Sequence, residues 1–152
     1  MEKDYIGGAA AHGYAARTFD ALPADARTIR EEVFVREQGF TEEFDETDGR
    51  AKHIVLYRGG DAVGTCRVFL QDGRAHVGRV AVRKAERGRG AGGALLAAAE
   101  QTARAMGMPS VELAAQVRAA EFYRKYGYAP CSAPFDEEGC PHIRMRKDLG
   151  GR

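Results

Sequence analysis

One segment in the middle of the chain constrains the fold more than any other. Residues 80–82 form a short apolar run typical of a strand, residues 83–90 are basic and rich in glycine, and a helical pattern follows them. Glycines let a backbone approach an oxyanion closely, because no Cβ stands in the way. The first N–H groups of a helix and the positive end of its dipole point at the same place. The segment therefore predicts a strand–loop–helix unit that binds a phosphorylated ligand.

The composition indicates one globular domain without a general attraction to polyanions. The chain has 152 residues, of which 44% are hydrophobic and 30% charged, and its net charge is +1. A chain of this length buries a single core, and a nearly neutral surface favours neither nucleic acid nor membrane as a partner. Acidic residues nevertheless concentrate between positions 31 and 48, and basic ones between 79 and 89. This segregation has two interpretations. The basic segment binds an anionic ligand and the acidic segment a cationic partner, or both segments are only solvated surfaces.

The cysteines and the chain termini exclude several other classes. The number of cysteines is odd and no Cys-x-x-Cys pair occurs, so neither a disulfide framework nor a zinc ribbon is expected. Histidines and cysteines lack the spacing of metal ligands, and we expect no metal. No apolar run of about 18 residues and no signal-peptide pattern is present, which predicts a cytoplasmic protein. Residues 1–13 are small and are expected to form a loose leader before the domain at 14–149.

Hydrophobic periodicity and turn signals predict an α/β domain in which a mixed sheet carries helices on both faces. Predicted helices cover residues 25–37, 92–106 and 118–126. Predicted strands cover residues 14–19, 53–57, 62–70, 75–82, 110–115, 128–133 and 142–146. Two hairpin signals, Gly59-Gly60-Asp61 and Asp72-Gly73, make three of these strands an antiparallel meander. The strand that ends at Val82 and the strand at 110–115 are expected to be parallel across a helical crossover, and a loop is expected at 134–141.

Two common phosphate-binding motifs fit the glycine loop poorly. A P-loop requires Gly-Lys-Ser/Thr at the start of its helix, whereas Gly93 is followed by alanine and leucine. A dinucleotide fingerprint is literally present, because Gly88, Gly90 and Gly93 fit Gly-x-Gly-x-x-Gly, and Glu112 lies near the distance of a ribose-binding acid. Five residues separate Val82 from Gly88, however, and about 40 residues remain after Glu112, too few for the rest of a doubly wound sheet.

The loop also resembles the acyl-CoA pyrophosphate loop of the GNAT acetyltransferase superfamily. Its sequence, Arg87-Gly88-Arg89-Gly90-Ala91-Gly92, matches Gln/Arg-x-x-Gly-x-Gly/Ala. The family's downstream pattern Asn-x-x-Ala-x-x-Phe-Tyr-x-x-x-Gly-Phe is followed with glutamine for the asparagine and tyrosine for the last phenylalanine. The matching residues are Gln116, Ala119, Phe122, Tyr123, Gly127 and Tyr128. Residues 30–39, 45–53 and 139–143 are similar to the ElaA-like subgroup, and the resemblance as a whole covers about residues 14–149.

This resemblance implies a single GNAT-like domain in which a splayed pair of parallel strands holds acyl-CoA as a cosubstrate. The resemblance also implies which residues bind it: Val80, Ala81, Val82, Arg87, Gly88, Arg89, Gly90, Ala91, Gly92, Gln116 and Tyr123. The glycine loop would bind the pyrophosphate, and exposed strand amides near Val80 and Val82 would bind the amides of the pantetheine arm, much as a peptide adds to a sheet edge. Arg83, Lys84 or Arg89 would meet the 3′-phosphate.

The implied reaction is acetyl transfer to an amine, and this reaction needs proton transfer. At pH 7 only about one lysine-like amine in 2,500 is neutral, so the enzyme requires a base or another way of selecting the neutral form. Tyr123 is the family-matched group that reprotonates the leaving thiolate, and a strand N–H near Val80 or Val82 is expected to polarise the thioester carbonyl. The base is left open between Glu112, Glu37 and His142.

The sequence leaves the acceptor and the assembly state open. We expect a small-molecule or peptide amine, which the acidic residues between Glu42 and Asp48 would attract if it is cationic, with the variable segments 40–52 and 134–140 forming its pocket. A homodimer is left open. The alternative functions are a CoA-binding sensor that lacks turnover and a structural partner protein in which the loop only caps a helix. One basic loop without interleaved aromatic residues is a poor DNA-binding surface.

Overall fold

The computed structural model describes residues 2–5, 13–40 and 44–150, which fold around one large sheet. Its strands are β1 (Glu2–Tyr5), β2 (Tyr14–Phe19), β3 (Lys52–Arg58), β4 (Asp61–Gln71), β5 (Arg74–Val82), β6 (Ser110–Gln116), β7 (Ala129–Pro130), β8 (Phe135–Glu137) and β9 (Cys140–Asp148). Its α-helices are α1 (Ala24–Arg30), α2 (Ala91–Ala105) and α3 (Ala120–Lys125). A π-helix at Glu31–Glu37 continues α1, and single 3₁₀ turns lie at Glu46–Gly49, Lys84–Glu86 and Val117–Ala119.

The sheet is mixed and mostly antiparallel, as predicted. Its strand order is β1-β2-β3-β4-β5-β6-β9-β7, and β8 pairs with β9 outside this path. The described strands pair antiparallel except for β5 and β6, which pair directly in parallel and are connected in the chain by a segment that contains α2. That parallel ladder is short, since it joins residues 75–77 of β5 to residues 111–113 of β6.

Helices cover both faces of the sheet. The larger core cluster packs the apolar stripe of α2, centred on Leu95 and Leu96, against inward-facing residues of the sheet. A second cluster joins Ile29 and Val33 of the α1/π-helix rod to Ala81 of β5. Because successive strand residues face opposite sides, Ala81 points away from the neighbouring Val82, which packs against the α2 cluster. In the described part of the chain, no helix combines the length and the apolarity that crossing a membrane requires.

A buried network of arginines and aspartates attaches the 3₁₀ turn at Glu46–Gly49 to the sheet. Arg30 donates two hydrogen bonds to the carboxylate of Asp48, at 2.8 and 3.0 Å. Arg67 of β4 donates to the same carboxylate at 2.9 Å and to Asp45 at 2.7 Å. Burial alone would raise the pKa of Asp48, but hydrogen bonds from Arg30, the Asp45 amide and Arg67 lower it overall. A charged Asp48 therefore holds the acidic segment beside the open half of β5.

Two segments differ from the sequence predictions. The loop expected at 134–141 is wrong, because β8 and β9 form a hairpin whose turn, Glu138-Gly139, has positive φ at both residues (52° and 76°). Positive φ at both residues is typical of a two-residue hairpin loop. The sequence did not predict this turn, because glutamate is uncommon at its first position. The strand expected at 128–133 shortens to Ala129–Pro130. Of the leader predicted at 1–13, β1 pairs with β2 and Gly13 precedes β2, and the rest lies outside the described residues.

We expect Asp48→Asn to lower the free energy of unfolding by about 3 kcal/mol at pH 7, because it removes the carboxylate to which two buried guanidinium groups, those of Arg30 and Arg67, donate hydrogen bonds. The folded-state pKa of Asp48 lies below the unfolded value of about 3.9, so its contribution is present above that pH and is lost as the pH falls further. Wild type should therefore lose stability below about pH 4 more steeply than the variant does.

Urea unfolding between pH 3 and 7 measures both effects. The control is Asp20→Asn, which removes an exposed ion pair with Lys52 and should change stability far less. Equal losses in the two variants would contradict the structural role of Asp48.

Candidate active site

A β-bulge in β5 opens the sheet at the candidate site. Gly78 pairs with Arg67 and Ala81 pairs with Thr65, so two residues of β5, Arg79 and Val80, lie opposite a single residue of β4. Arg79 has a positive φ of 51°, a backbone conformation that is uncommon for residues with a Cβ and is often found at functional sites. From this bulge onward β5 and β6 diverge, and a cleft of about 630 Å³ lies between them.

The open edge of β5 presents backbone amides to this cleft. The N–H of Arg83 donates to Val63 of β4 at 2.9 Å, so the neighbouring residue, Val82, presents its N–H and C=O to the opposite side. Val80 has the same orientation as Val82, and it lines the cleft. Ala81 faces β4 through its backbone and the α1 cluster through its methyl group. Val80 therefore presents the open strand edge to the cleft, and Val82 continues this edge with its carbonyl accepting from Arg87, whereas the side chain of Ala81 is core.

The glycine loop leads from β5 into α2 with its backbone exposed. Gly88 and Gly90 have φ values of 79° and 92°, which glycine adopts without strain. A Cβ at either position would meet no atom within 4 Å, so the space beside the loop is open. No side chain caps α2 among the described residues, and the first N–H groups of the helix, which begins at Ala91, are left for a ligand. The hydroxyl of Tyr14 donates to the carbonyl of Arg89 at 3.3 Å and steadies the loop.

Arg87 is bound to the protein itself. Its Nε donates to the Val82 carbonyl at 2.9 Å, and its terminal nitrogens donate to Glu37 at 2.6 and 2.8 Å. These hydrogen bonds lower the pKa of Glu37, which does not line the cleft. The pair thus ties the loop to the π-helix, so Arg87 is committed to this contact and Glu37 is poorly placed to act as a base. Arg89, whose side chain is 56% exposed, is the loop arginine best placed to reach a phosphate.

Gly92 allows α3 to pack closely on α2. A Cβ at Gly92 would lie 2.6 Å from Cζ of Phe122, and one at Gly93 would lie 2.6 Å from the hydroxyl oxygen of Tyr126. One residue of the family pattern, Phe122, therefore has a structural role, because its ring fills the space that Gly92 leaves open. This contact fixes α3, and with it Tyr123, beside the start of α2.

Tyr123 reaches the cleft from α3. Its side chain is 9% exposed and lines the cleft, and the described residues offer its hydroxyl no hydrogen bond. Burial, with a smaller effect from the Cys66 thiol, raises the pKa of Tyr123. The phenol therefore stays protonated and keeps its O–H available to a ligand atom in the cleft. Gln116 lies on the same wall, where its amide donates to Gln38 of the segment after the π-helix at 2.9 Å.

His142 enters the cleft from β9, directly opposite Gln116 in the β6–β9 pairing. Its Nδ1 lies 2.8 Å from the carbonyl oxygen of Cys140. Because a carbonyl oxygen only accepts, Nδ1 carries the hydrogen and, in the neutral ring, Nε2 has the free lone pair. The described residues offer Nε2 no partner, and the ring stacks on Phe135 with centroids 6.0 Å apart. His142 is thus held in the tautomer that a base requires.

The remaining candidate base, Glu112, lies at the closed end of the parallel pair. It is opposite His76 in the β5–β6 register, and Arg74 donates to its carboxylate at 2.9 Å. It is not among the described residues that line the cleft. The structure therefore brings Tyr123 and His142 together in one cleft and leaves Glu112 outside it.

Two carboxylates of the acidic segment are engaged within the protein. Asp45 binds Arg67 at 2.7 Å and Arg79 at 3.2 Å, and Asp48 binds Arg30 and Arg67. Glu46 is exposed and has no ion pair among the described residues, so the predicted attraction of a cationic acceptor would fall to Glu46 and to residues 42–43, which lie outside the described residues. Among the described residues, no group of three histidine, cysteine or acidic side chains is placed to hold a metal ion.

Four arginines line the cleft, Arg67, Arg79, Arg118 and Arg144, and the sequence predicted none of them as a site residue. Arg67 and Arg144 line it from β4 and β9. The signal for Arg67 was an arginine within an apolar strand, between Cys66 and Val68. Arg144 follows His142 by two residues, so the two share a face of β9.

Comparisons with known proteins identify the class to which this arrangement belongs. A family model described as acetyltransferase (GNAT) domain matches residues 18–149. The Bacillus subtilis protein YjcF, an uncharacterised N-acetyltransferase, is 41% identical over 127 residues, which are 82% of this chain and 91% of YjcF. The structure of an acyl-CoA N-acyltransferase from Pseudomonas aeruginosa is 31% identical, with a TM-score of 0.71, over 79% of this chain and 85% of that one. The crystal structure of Escherichia coli ElaA is 26% identical in sequence, with a TM-score of 0.77, over 87% of this chain and 98% of that one.

The chain therefore belongs to the GNAT acetyltransferase family, as the sequence resemblance predicted, and ElaA is among its relatives. Its fold is the GNAT fold, and its relatives support an acyltransferase enzyme.

We expect Gly90→Glu to abolish CoA binding, raising Kd by more than about 100-fold, or about 2.8 kcal/mol. The substitution places a Cβ at a left-handed position and a negative charge where the pyrophosphate is expected. Gly73→Glu is the matched control, because Gly73 also has a positive φ (73°) but lies in the turn at the other end of β5. Isothermal calorimetry with CoA measures both variants, and an unchanged affinity of Gly90→Glu would refute the assignment of the loop.

Proposed function

We propose that this protein transfers an acetyl group from acetyl-CoA to a primary amine of a small molecule or peptide, by direct attack of the amine on the thioester. The observation that carries the proposal is that Val80 of the open β5 edge, Tyr123 and His142 line one cleft, while the same strand leads through the glycine loop to the uncapped start of α2. The donor follows from the family and from the Pseudomonas relative, which is an acyl-CoA N-acyltransferase.

The residues present suit acyl-CoA as a substrate. Backbone N–H groups of residues 88–92 would hold the pyrophosphate, with Arg89 as the nearby cation. The amides of Val80 and Val82 would pair with the pantetheine arm as an added strand, and the thioester supplies an activated acyl carbon at the end of that arm. One of these strand N–H groups would also donate to the thioester oxygen as negative charge develops on it.

His142 is the proposed base. The Cys140 carbonyl holds the proton on Nδ1, so Nε2 is the atom that accepts a proton from the incoming amine. The ring is 7% exposed and stacked on Phe135, which limits its rotation. Once Nε2 is protonated, Nδ1 still donates to the Cys140 carbonyl, so the ring does not have to turn.

Tyr123 is the proposed hydrogen-bond donor to the leaving sulfur. The sequence predicted full proton transfer from Tyr123 to the leaving thiolate, but burial raises the pKa of Tyr123 and disfavours this transfer. The phenol therefore stabilises the thiolate mainly through its O–H, as a charge-assisted hydrogen bond. The proton that His142 removes from the amine is then available to neutralise the thiolate after transfer.

We expect His142→Asn to lower kcat/KM by about 100-fold or more, the usual contribution of a general base. Asparagine retains an N–H for the Cys140 carbonyl but has no lone pair in the position of Nε2.

His76→Asn makes the same change on a ring that stacks on Phe69, and we expect little effect from it. Initial rates between pH 6 and 9 test both variants. If only the His76 variant lost activity, the base would be His76.

We expect Tyr123→Phe to lower kcat by about 10- to 100-fold, the value of a hydrogen bond to a charged atom, with unchanged CoA affinity. Tyr126→Phe makes the same change at the residue that follows α3, outside the cleft, and should leave kcat unchanged. Rates with saturating acetyl-CoA, together with calorimetry, separate chemistry from binding. An unchanged kcat in the Tyr123 variant between pH 6 and 9 would remove this role.

The activity itself is tested by thiol release from acetyl-CoA with a panel of primary amines. Release that depends on an amine supports an N-acetyltransferase. CoA binding without release would favour the alternative of a sensor, for which the described residues offer no specific observation. Absence of CoA binding would exclude both functions.

A further inference from the structure

Arg144 is a cation in the cleft without an anionic partner among the described residues. It lines the cleft, and its guanidinium carbon lies 5.6 Å from the centroid of the Phe135 ring. The described part of the chain offers this guanidinium no ion pair or hydrogen bond. The other cleft arginines are engaged: Arg67 and Arg79 bind Asp45, and Arg118 donates to Gln116. A planar guanidinium held against a ring in a cleft is suited to binding a carboxylate with two hydrogen bonds.

A second donor without a partner lies in the same cleft. Arg67 is 4% exposed, and its Nε has no hydrogen-bond partner. A Cβ at Gly78 would lie 3.7 Å from this nitrogen, so the missing side chain leaves space beside it in the cleft wall. Buried N–H groups nearly always have an acceptor. An oxygen-bearing ligand that enters beside Gly78 would supply one.

We propose that the acceptor is a small amino-carboxylate, such as a free amino acid, and that Arg144 binds its carboxylate while His142 faces its amine. This inference rests on the proposed function, because it specifies the acceptor of that reaction. His142 and Arg144 share one face of β9 and are two residues, or about 6.6 Å, apart along the strand. A molecule that carries its amine and carboxylate on the same or adjacent carbons is short enough to contact both side chains.

The charges at the rim of the cleft agree with a zwitterion. Glu137 and Glu138, at the β8–β9 turn, line the cleft and have no ion pair in the described part of the chain. These carboxylates would attract the ammonium group of an approaching amino acid, and Arg144 would then bind its carboxylate. A polyamine would form ion pairs with the two glutamates, but its second ammonium group would lie near Arg144, and this repulsion costs free energy.

The test compares the protein amino acids that carry a primary amine with their carboxamides as acceptors of the acetyl group from acetyl-CoA. We expect the free acids to have the higher kcat/KM by about 10- to 100-fold, the value of a charge-assisted contact. Basicity alone would favour the carboxamides, because their amines are less basic and are more often in the neutral, reactive form. Arg144→Gln should abolish the preference by raising KM for the acids alone, and Arg144→Lys should retain part of it.

Arg146→Gln is the matched control, because Arg146 is the next residue on the same face of β9 and does not line the cleft. It should keep the preference, and thermal unfolding of each variant shows whether the fold is intact. Equal rates with acids and carboxamides, a preference for polyamines, or a preference that survives in Arg144→Gln would overturn the inference and leave the proposed function standing.

If no acceptor is acetylated, the proposed function fails, and binding still decides the inference. CoA-bound protein is then titrated with the same acids and carboxamides by calorimetry. Binding of an acid that its carboxamide lacks, and that Arg144→Gln loses, supports a carboxylate site. Equal binding of acid and carboxamide, or no binding of either, overturns it.

Discussion

The divergence of β5 and β6 is the constraint on which the rest of the structure depends. Only three residue pairs join the two strands, and the bulge at Arg79 and Val80 then turns β5 away. An open strand edge normally invites unwanted pairing. Here the edge faces a cleft, and in the proposed function a ligand would extend along it like a strand. The backbone groups of Val80 and Val82 gain this role only because β6 is no longer beside them.

Charge pairing holds the elements around that opening. Acidic and basic residues that are segregated in the sequence meet in the fold, where Glu32 binds Arg83 and Glu37 binds Arg87. Such exposed pairs contribute little stability, but they connect the π-helix to the segment that binds phosphate in the proposed function. The buried pair of Arg30 and Asp48 is different, since breaking it is costly and its geometry is specific. Because most charges are used in this way, the few that remain unpaired in the cleft carry more information about ligands.

Local patterns in the sequence were sufficient for the strand, loop and helix around Gly88 and Gly90, because glycine conformation and hydrophobic periodicity act over a few residues. The functions of other residues depend on contacts distant in sequence. Gly92 matched a loop motif, yet its missing side chain accommodates Phe122 of α3. Glu37 and Glu112 are candidate bases from the sequence alone, and the arginine that each of them binds is distant in sequence. The surroundings of His142 depend on the pairing of β9 with β6, which no local pattern specifies.

One strand, β6, positions both groups that the proposed chemistry requires. Tyr123 follows it through the short 3₁₀ turn at 117–119, and His142 is opposite its last residue in the antiparallel ladder. β5, in contrast, carries the amides that would orient the thioester. Separating the two strands therefore sets the distance between the acyl donor on one side and the proton-transferring side chains on the other. Since Arg144 lies on β9 beside His142, the same separation also sets where an acceptor's carboxylate would lie relative to the acyl carbon.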